Sequence, residues 1–202
     1  MVDRIDYSEE GRKLIARLAV GGIGRYDDKN LIWKDDRTGG RIYVGNQQAA
    51  RNAGSDSDIT HVINCTDDLP NFCEARALAA GTPLTYLRFH VAAWQSAGED
   101  RRPHPASREE VWAFAQSLFT FVDAALQQGG GVLVHCLAGA HRAGTTGVLC
   151  LMHYEGLDSA TATQTAKALR PAINPIGGLP GFLAFYEYMR QQQRATAPPA
   201  MP

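Results

Sequence analysis

Three consecutive glycines, Gly129-Gly130-Gly131, separate a long amphipathic stretch from the apolar run Val132-Leu133-Val134. The amphipathic stretch opens on a capping box, Ser107-Arg108-Glu109-Glu110, and carries Val111, Phe114, Ala115, Leu118, Val122 and Ala125 on one stripe of a helix. A strand with no polar alternation has to be covered on both faces, and a helix delivered into it by a glycine stop supplies part of that cover. After Val134 the chain crosses a short turn rich in Gly and Ala. It then takes up a second helical pattern from about Arg142 to Tyr154, which Gly156 terminates. A helix, a buried strand, a tight turn and another helix in this order belong to an α/β fold.

The rest of the chain agrees. Ile42-Tyr43-Val44 is stopped by Gly45-Asn46, and the β-branched run Ile59 to Cys65 is stopped by Asp67 and Asp68. A third strand is expected over Leu84 to Val91, ahead of a polar loop from Gln95 to Ala106. Asp158 or Ser159 caps a helix that must end before Pro171, and a last helix begins near Pro180. Leu14, Ile15 and Leu18 point to a short helix near the start. The expected architecture is a mainly parallel central sheet of about five strands with helices on both faces. Residues 1–40 are expected to be an N-terminal extension packing on a core of residues 41–193, with 194–202 as a flexible tail.

Composition bounds the partners. Twenty Lys and Arg against 21 Asp and Glu give a net charge of -1, so there is no bulk positive field for nucleic acid or an anionic membrane. Any anion has to be recognised locally. The opening residues lack the apolar stretch of a signal peptide, and no uncharged run approaches bilayer-spanning length. Four scattered cysteines, Cys65, Cys73, Cys136 and Cys150, suit a reducing, cytoplasmic setting better than a disulfide scaffold, and no cluster of ligands calls for a metal or other cofactor.

In sheets of this kind ligands collect at the carboxyl ends of the strands, which is where His135-Cys136 falls. The segment from Cys136 to Arg142 joins strand to helix, so its amides converge on one point with the positive end of the helix behind them. That potential suits an attacking thiolate at Cys136 as well as an oxyanion. Leu137, Ala138, Gly139, Ala140 and His141 contribute backbone N–H groups, and Gly139 permits the tight path. The planar fork of Arg142 can hold two oxygens of a phosphate in a way lysine cannot match.

His135-Cys136, five residues, then Arg142, set between strand and helix, resembles the signature of the cysteine-dependent protein tyrosine phosphatases, and the dual-specificity branch fits best. The resemblance runs from about Arg41 to Arg190. It includes Arg41-Ile42-Tyr43-Val44-Gly45-Asn46, Ile59-Thr60-His61-Val62-Ile63-Asn64, and the stretch from Arg170-Pro171 to Gly181-Phe182. It implies a phosphocysteine intermediate on Cys136, phosphate held by Arg142 and the loop amides, support from His135 and Thr145, no cofactor, and a phosphorylated protein as partner. It leaves the oligomeric state open.

Two departures matter. The family places an aspartic acid on a preceding loop to protonate the leaving oxygen, and here Ala92 or Ala93 occupies that place. Asp100, beside Glu99, is the expected substitute. Directly after the arginine the family usually has a hydroxyl, whereas this chain has Ala143, with Thr145 and Thr146 following. The resemblance also implies a redox partner, because some relatives place a cysteine at the position of Cys65, where it could capture an oxidised Cys136. Cys73 and Cys150 read as structural. The neutral loop interior favours phosphoproteins over polyphosphorylated lipids or nucleotides, with a phosphate-binding pseudophosphatase as the alternative to an enzyme.

Overall fold

The computed structural model describes residues 5–20, 27–74, 84–95 and 108–196. Ser107, Glu99 and Asp100 therefore lie outside the described residues. Five strands form one sheet: β1 (Lys29–Lys34), β2 (Arg41–Gly45), β3 (His61–Asn64), β4 (Thr85–Arg88) and β5 (Gly131–His135), in the order β1-β2-β5-β3-β4. Parallel pairing joins β2 to β5, β5 to β3 and β3 to β4, and only the edge strand β1 runs antiparallel, against β2. The described helices are α1 (Tyr7–Val20), α2 (Gln47–Asn52), α3 (Arg108–Leu126), α4 (Arg142–Tyr154), α5 (Ser159–Leu169) and α6 (Leu179–Thr196).

Alternation along the strands sorts the core into two faces. Ile42, Val44, Ile63, Val132 and Val134 pack with residues of α3, α4 and α6, including Leu118, Leu149 and Phe182. Tyr43, Val62 and Leu133 face the opposite way, against Ala49, Ala50 and Ala53. The central strand β5 is buried along its whole length, which is why its sequence is continuously apolar. Helix α4 lies so close to the sheet that a Cβ at Gly147 would stand 2.5 Å from Val44 Cγ2.

The expected α/β class, the parallel sheet and the helical cover on both faces are all present. The antiparallel β1 was not anticipated. Its pairing with β2 is irregular between Leu31 and Trp33, so the side-chain alternation that marks a strand is broken in mid-run. Helix α2 was also missed, since six residues with only Ala49 and Ala50 buried carry no readable period. Strand β4 stops at Arg88, short of Val91, because Phe89 turns inward to stack on Phe114 at 4.3 Å and a short 3₁₀ segment, Val91–Gln95, follows. Helix α1 begins well before Leu14, because Asp6 accepts from the amides of Ser8 and Glu9, both at 2.9 Å.

Candidate active site

Strands β2, β3 and β5 end at one edge of the sheet, and the residues just beyond them build the site. Gly45 pairs with His135 across β2 and β5, and Asn64 pairs with His135 across β3 and β5. The next residue after β5 is Cys136, only 3% exposed. The chain then loops through Leu137, Ala138, Gly139, Ala140 and His141 to enter α4 at Arg142.

The carbonyls of this loop are held from outside. Leu137 O accepts from the Gln47 amide at 3.1 Å, and Ala140 O accepts from the Asn174 amide at 3.0 Å. Between them, Arg170 donates from Nε to Gly139 O at 2.9 Å and from Nη2 to Ala138 O at 3.3 Å. A trans peptide plane carries its N–H opposite its C=O, so tying the carbonyls outward turns the amides toward the loop interior. Gly139 makes the path possible with φ of 63°, and a Cβ there would lie 2.5 Å from Gly45 O. No side chain caps the start of α4, whereas Asn46 caps α2 and Asp158 caps α5. The first amides of α4 are thereby left for an anion.

Arg170 was quoted in the sequence only as part of a resemblance, and its position explains more than that. It is 1% exposed and also donates from Nη1 to Asp27 O at 2.9 Å and to Asn30 Oδ1 at 2.5 Å, tying the loop to the start of β1. A buried cation thus replaces the water that the loop carbonyls would otherwise need.

Arg142 is nearly buried, at 5% exposure. Its Nη2 donates to Ser8 Oγ at 3.2 Å, its Nη1 lies 3.9 Å from Asp68 Oδ1, and its guanidinium carbon sits 5.9 Å from the centre of the Tyr7 ring. A cleft of about 370 Å³ opens beside it, bounded by Ile5, Asp6, Tyr7 and Ser8 on one side and by Asp67, Asp68 and Ala92 on the other. Cys136 does not line this cleft. The first turn of α1 stands at its mouth, and a phosphate reaching Arg142 has to take the guanidinium from Ser8 and Asp68.

The supporting residues fall as follows. His135 is fully buried, and among the described residues neither ring nitrogen reaches a hydrogen-bond partner. Burial pushes its pKa down to about 4, with the backbone of Cys136 opposing that shift and the charges of Arg88 and Arg142 adding to it. The ring is neutral at pH 7, and the brace expected of it is supplied by its backbone, whose carbonyl accepts from the Cys65 amide at 2.9 Å. His141 turns away from the loop interior and, because a carbonyl can only accept, donates from Nδ1 to Asn174 O at 2.6 Å. Thr145 spends its hydroxyl on His141 O at 2.8 Å, and Thr146 donates to Arg142 O at 3.1 Å. Cys65 lies just past β3, 3.4 Å from Thr146 Oγ1, and burial pushes its thiol well up. Ala143 is buried in the core, and Ala92 faces the cleft as an apolar wall.

Comparisons with known proteins agree with this fold. Residues 42–189 match the family model "Dual specificity phosphatase, catalytic domain". The chain belongs to this family. It is 33% identical to dual specificity protein phosphatase 1B of Arabidopsis thaliana, over 77% of this chain and 81% of the relative. It is 31% identical to human dual specificity protein phosphatase 9, over 76% of this chain and 36% of that protein. Against Drosophila melanogaster MPK-4 it is 24% identical over 92% of the chain but spans about half of the relative, 46%. Among solved structures, a variant of human DUSP28 superposes with a TM-score of 0.55 at 21% identity, covering 83% of this chain and 99% of that one. At that identity the likeness is one of fold. No described helix is long and apolar enough to cross a membrane.

Proposed function

We propose that the chain hydrolyses phosphate monoesters on phosphoproteins, phosphotyrosine first and phosphoserine or phosphothreonine where the cleft admits them, through a phosphocysteine at Cys136. The observation that carries this reading is the outward tethering of the loop carbonyls around a sulfur that Arg142 follows in the same loop. In the first step Cys136 Sγ attacks phosphorus and the ester bond breaks, with the amides of Leu137 to Arg142 and the guanidinium holding the equatorial oxygens. In the second, water attacks phosphorus and the pair returns to sulfur. The loop interior offers no cation besides Arg142, which favours a single phosphate on a protein over polyphosphorylated lipids or nucleotides.

The alternative reading, a phosphate-binding module with weak turnover, is favoured by Ala92 or Ala93 at the place of the family's acid and by Ala143 after the arginine. Turnover of a small aryl phosphate by the wild type, Cys136→Ser and Arg142→Lys separates them. Steady hydrolysis lost in both variants supports the enzyme; phosphopeptide binding by an inactive wild type supports the module; activity surviving Cys136→Ser refutes the mechanism. If thiolate release is slowed by Ala143, rapid quench shows a burst and a trapped phosphoenzyme, and Ala143→Ser shrinks both.

A further inference from the structure

We infer that Asp68, on the loop after β3, is the acid that protonates the leaving oxygen and later the base that activates water, a role that rests on the phosphatase reading above and deepens it. Among the described residues three carboxylates line the cleft beside Arg142: Asp6, Asp67 and Asp68. Two are committed elsewhere. Asp6 caps α1 through the amides of Ser8 and Glu9, and those bonds, the Glu9 amide first, hold its carboxyl below the usual range. Asp67 is bound to His90 Nδ1. Asp68 alone of the three faces the phosphate-binding guanidinium, with Oδ1 3.9 Å from Arg142 Nη1 and Oδ2 accepting from Ser8 Oγ at 3.1 Å.

The loop that carries it is set by polar groups in the interior. Asn64, fully buried at the end of β3, accepts from the Thr66 amide at 3.1 Å and the Thr66 hydroxyl at 2.7 Å, and donates to Leu69 O at 2.9 Å. Thr66 Oγ1 in turn accepts from the Leu69 amide at 3.1 Å. Arg88 reaches across from β4 to donate to Thr66 O and to Leu69 O. Asp67 and Asp68 are the two residues between these anchors. A network of this kind, closed on both sides of two acidic residues at the cleft, fixes where a carboxyl meets the substrate. The apolar Ala92 lies on the same cleft, so among the described residues that side of it offers no acid to the leaving group.

The chemistry balances. As a phosphate dianion enters, it takes Arg142 from Asp68 and leaves that carboxyl facing the ester oxygen. Sulfur forms its bond to phosphorus, the P–O bond breaks with its electron pair on oxygen, and the Asp68 proton passes to that oxygen. The carboxylate left behind accepts a proton from water as the water oxygen attacks phosphorus and the P–S pair returns to Cys136, releasing inorganic phosphate. Ser8 is a positioning residue in this scheme, holding Oδ2 until substrate arrives.

The test is the dependence of kcat/KM on leaving-group acidity over a series from dinitrophenyl phosphate to phenyl and alkyl phosphates. Asp68→Asn keeps an acceptor for Ser8 and removes both the transferable proton and the carboxylate charge. The expected result is little change on dinitrophenyl phosphate, whose oxygen leaves unprotonated, and a loss of about 10²- to 10³-fold on phenyl phosphate, giving a steeper slope than wild type. Ser8→Ala should keep the wild-type slope with a lower KM, because no hydroxyl then has to be displaced from Arg142. An unchanged slope in Asp68→Asn overturns the assignment, as does a steepening reproduced by Asp100→Asn instead. A wild type inert toward dinitrophenyl phosphate, or a Cys136→Ser variant that retains activity, sinks the phosphatase reading itself and Asp68 with it.

Discussion

Replacing Arg170 with methionine removes the guanidinium while keeping most of the stem, and isolates what the cation does for the phosphate loop. Four acceptors lose their donor: Gly139 O, Ala138 O, Asp27 O and Asn30 Oδ1. Asp27 O and Asn30 Oδ1 border solvent and can be rehydrated, so the cost is carried by the two buried loop carbonyls. At about 1.5–3 kcal/mol for each bond to a charged donor, the gross loss is about 3–6 kcal/mol. Relief from burying a charge returns part of this, leaving about 3 kcal/mol, or two decades in the unfolding equilibrium. Urea denaturation should show that loss in the midpoint with the slope unchanged. The second readout is specific to the site. With their outer partners gone, the Ala138 and Gly139 peptides are free to turn, and competitive inhibition by vanadate or phosphate should weaken about 10- to 100-fold. Arg170→Lys keeps the charge without the fork and should fall between. A stability loss below about 1 kcal/mol together with unchanged oxyanion affinity would refute the idea that Arg170 orients the loop.

Gly139→Ala places a Cβ 2.5 Å from Gly45 O at a φ of 63°, and should cost about 2–4 kcal/mol in denaturation together with oxyanion binding. A variant as stable as wild type would mean that the loop has another path. Mild peroxide should inactivate reversibly by joining Cys136 to Cys65, a residue whose amide already bonds His135 O beside the nucleophile. Peptide mapping that finds Cys136 only as sulfinic or sulfonic acid, or Cys65→Ser recovering as fully with dithiol, would exclude that pair. His135 is held neutral with a pKa of about 4 against 6.5 for the free side chain. Its contribution is therefore whole above pH 6.5 and is lost as pH falls toward 4, by roughly 3 kcal/mol in all. His135→Gln should flatten the stability profile across that window, and an unaltered profile would show that His135 is not the linked group.

How much of this was legible depended on how local the chemistry is. Cys136, Gly139 and Arg142 lie within one turn of chain between a strand and a helix, so spacing and residue type suffice to bring them together as candidates. The groups that hold them do not. Arg170 meets Gly139 from 31 residues away and Ser8 meets Arg142 from 134 residues away, separations that no periodicity encodes. Asp67 and Asp68 were read as the stop after an apolar run, which they are, and that reading concealed their place at the cleft. Asp100, expected on its longer loop as the substitute acid, lies outside the described residues. Yet a readable signal existed at the strand ends. Asn46 follows β2 and gives Oδ1 to the amides of Gln48 and Ala49, Asn64 closes β3 and organises Thr66 to Leu69, and His135 closes β5 before the nucleophile. Each is a buried polar residue at the end of an apolar run. Such a residue has to be satisfied by the loop it introduces or pay for its burial, so three in parallel strands mark three loops folded to one design at one edge. That edge is where a parallel sheet gathers its ligand, and the β3 loop stands there beside the cysteine loop.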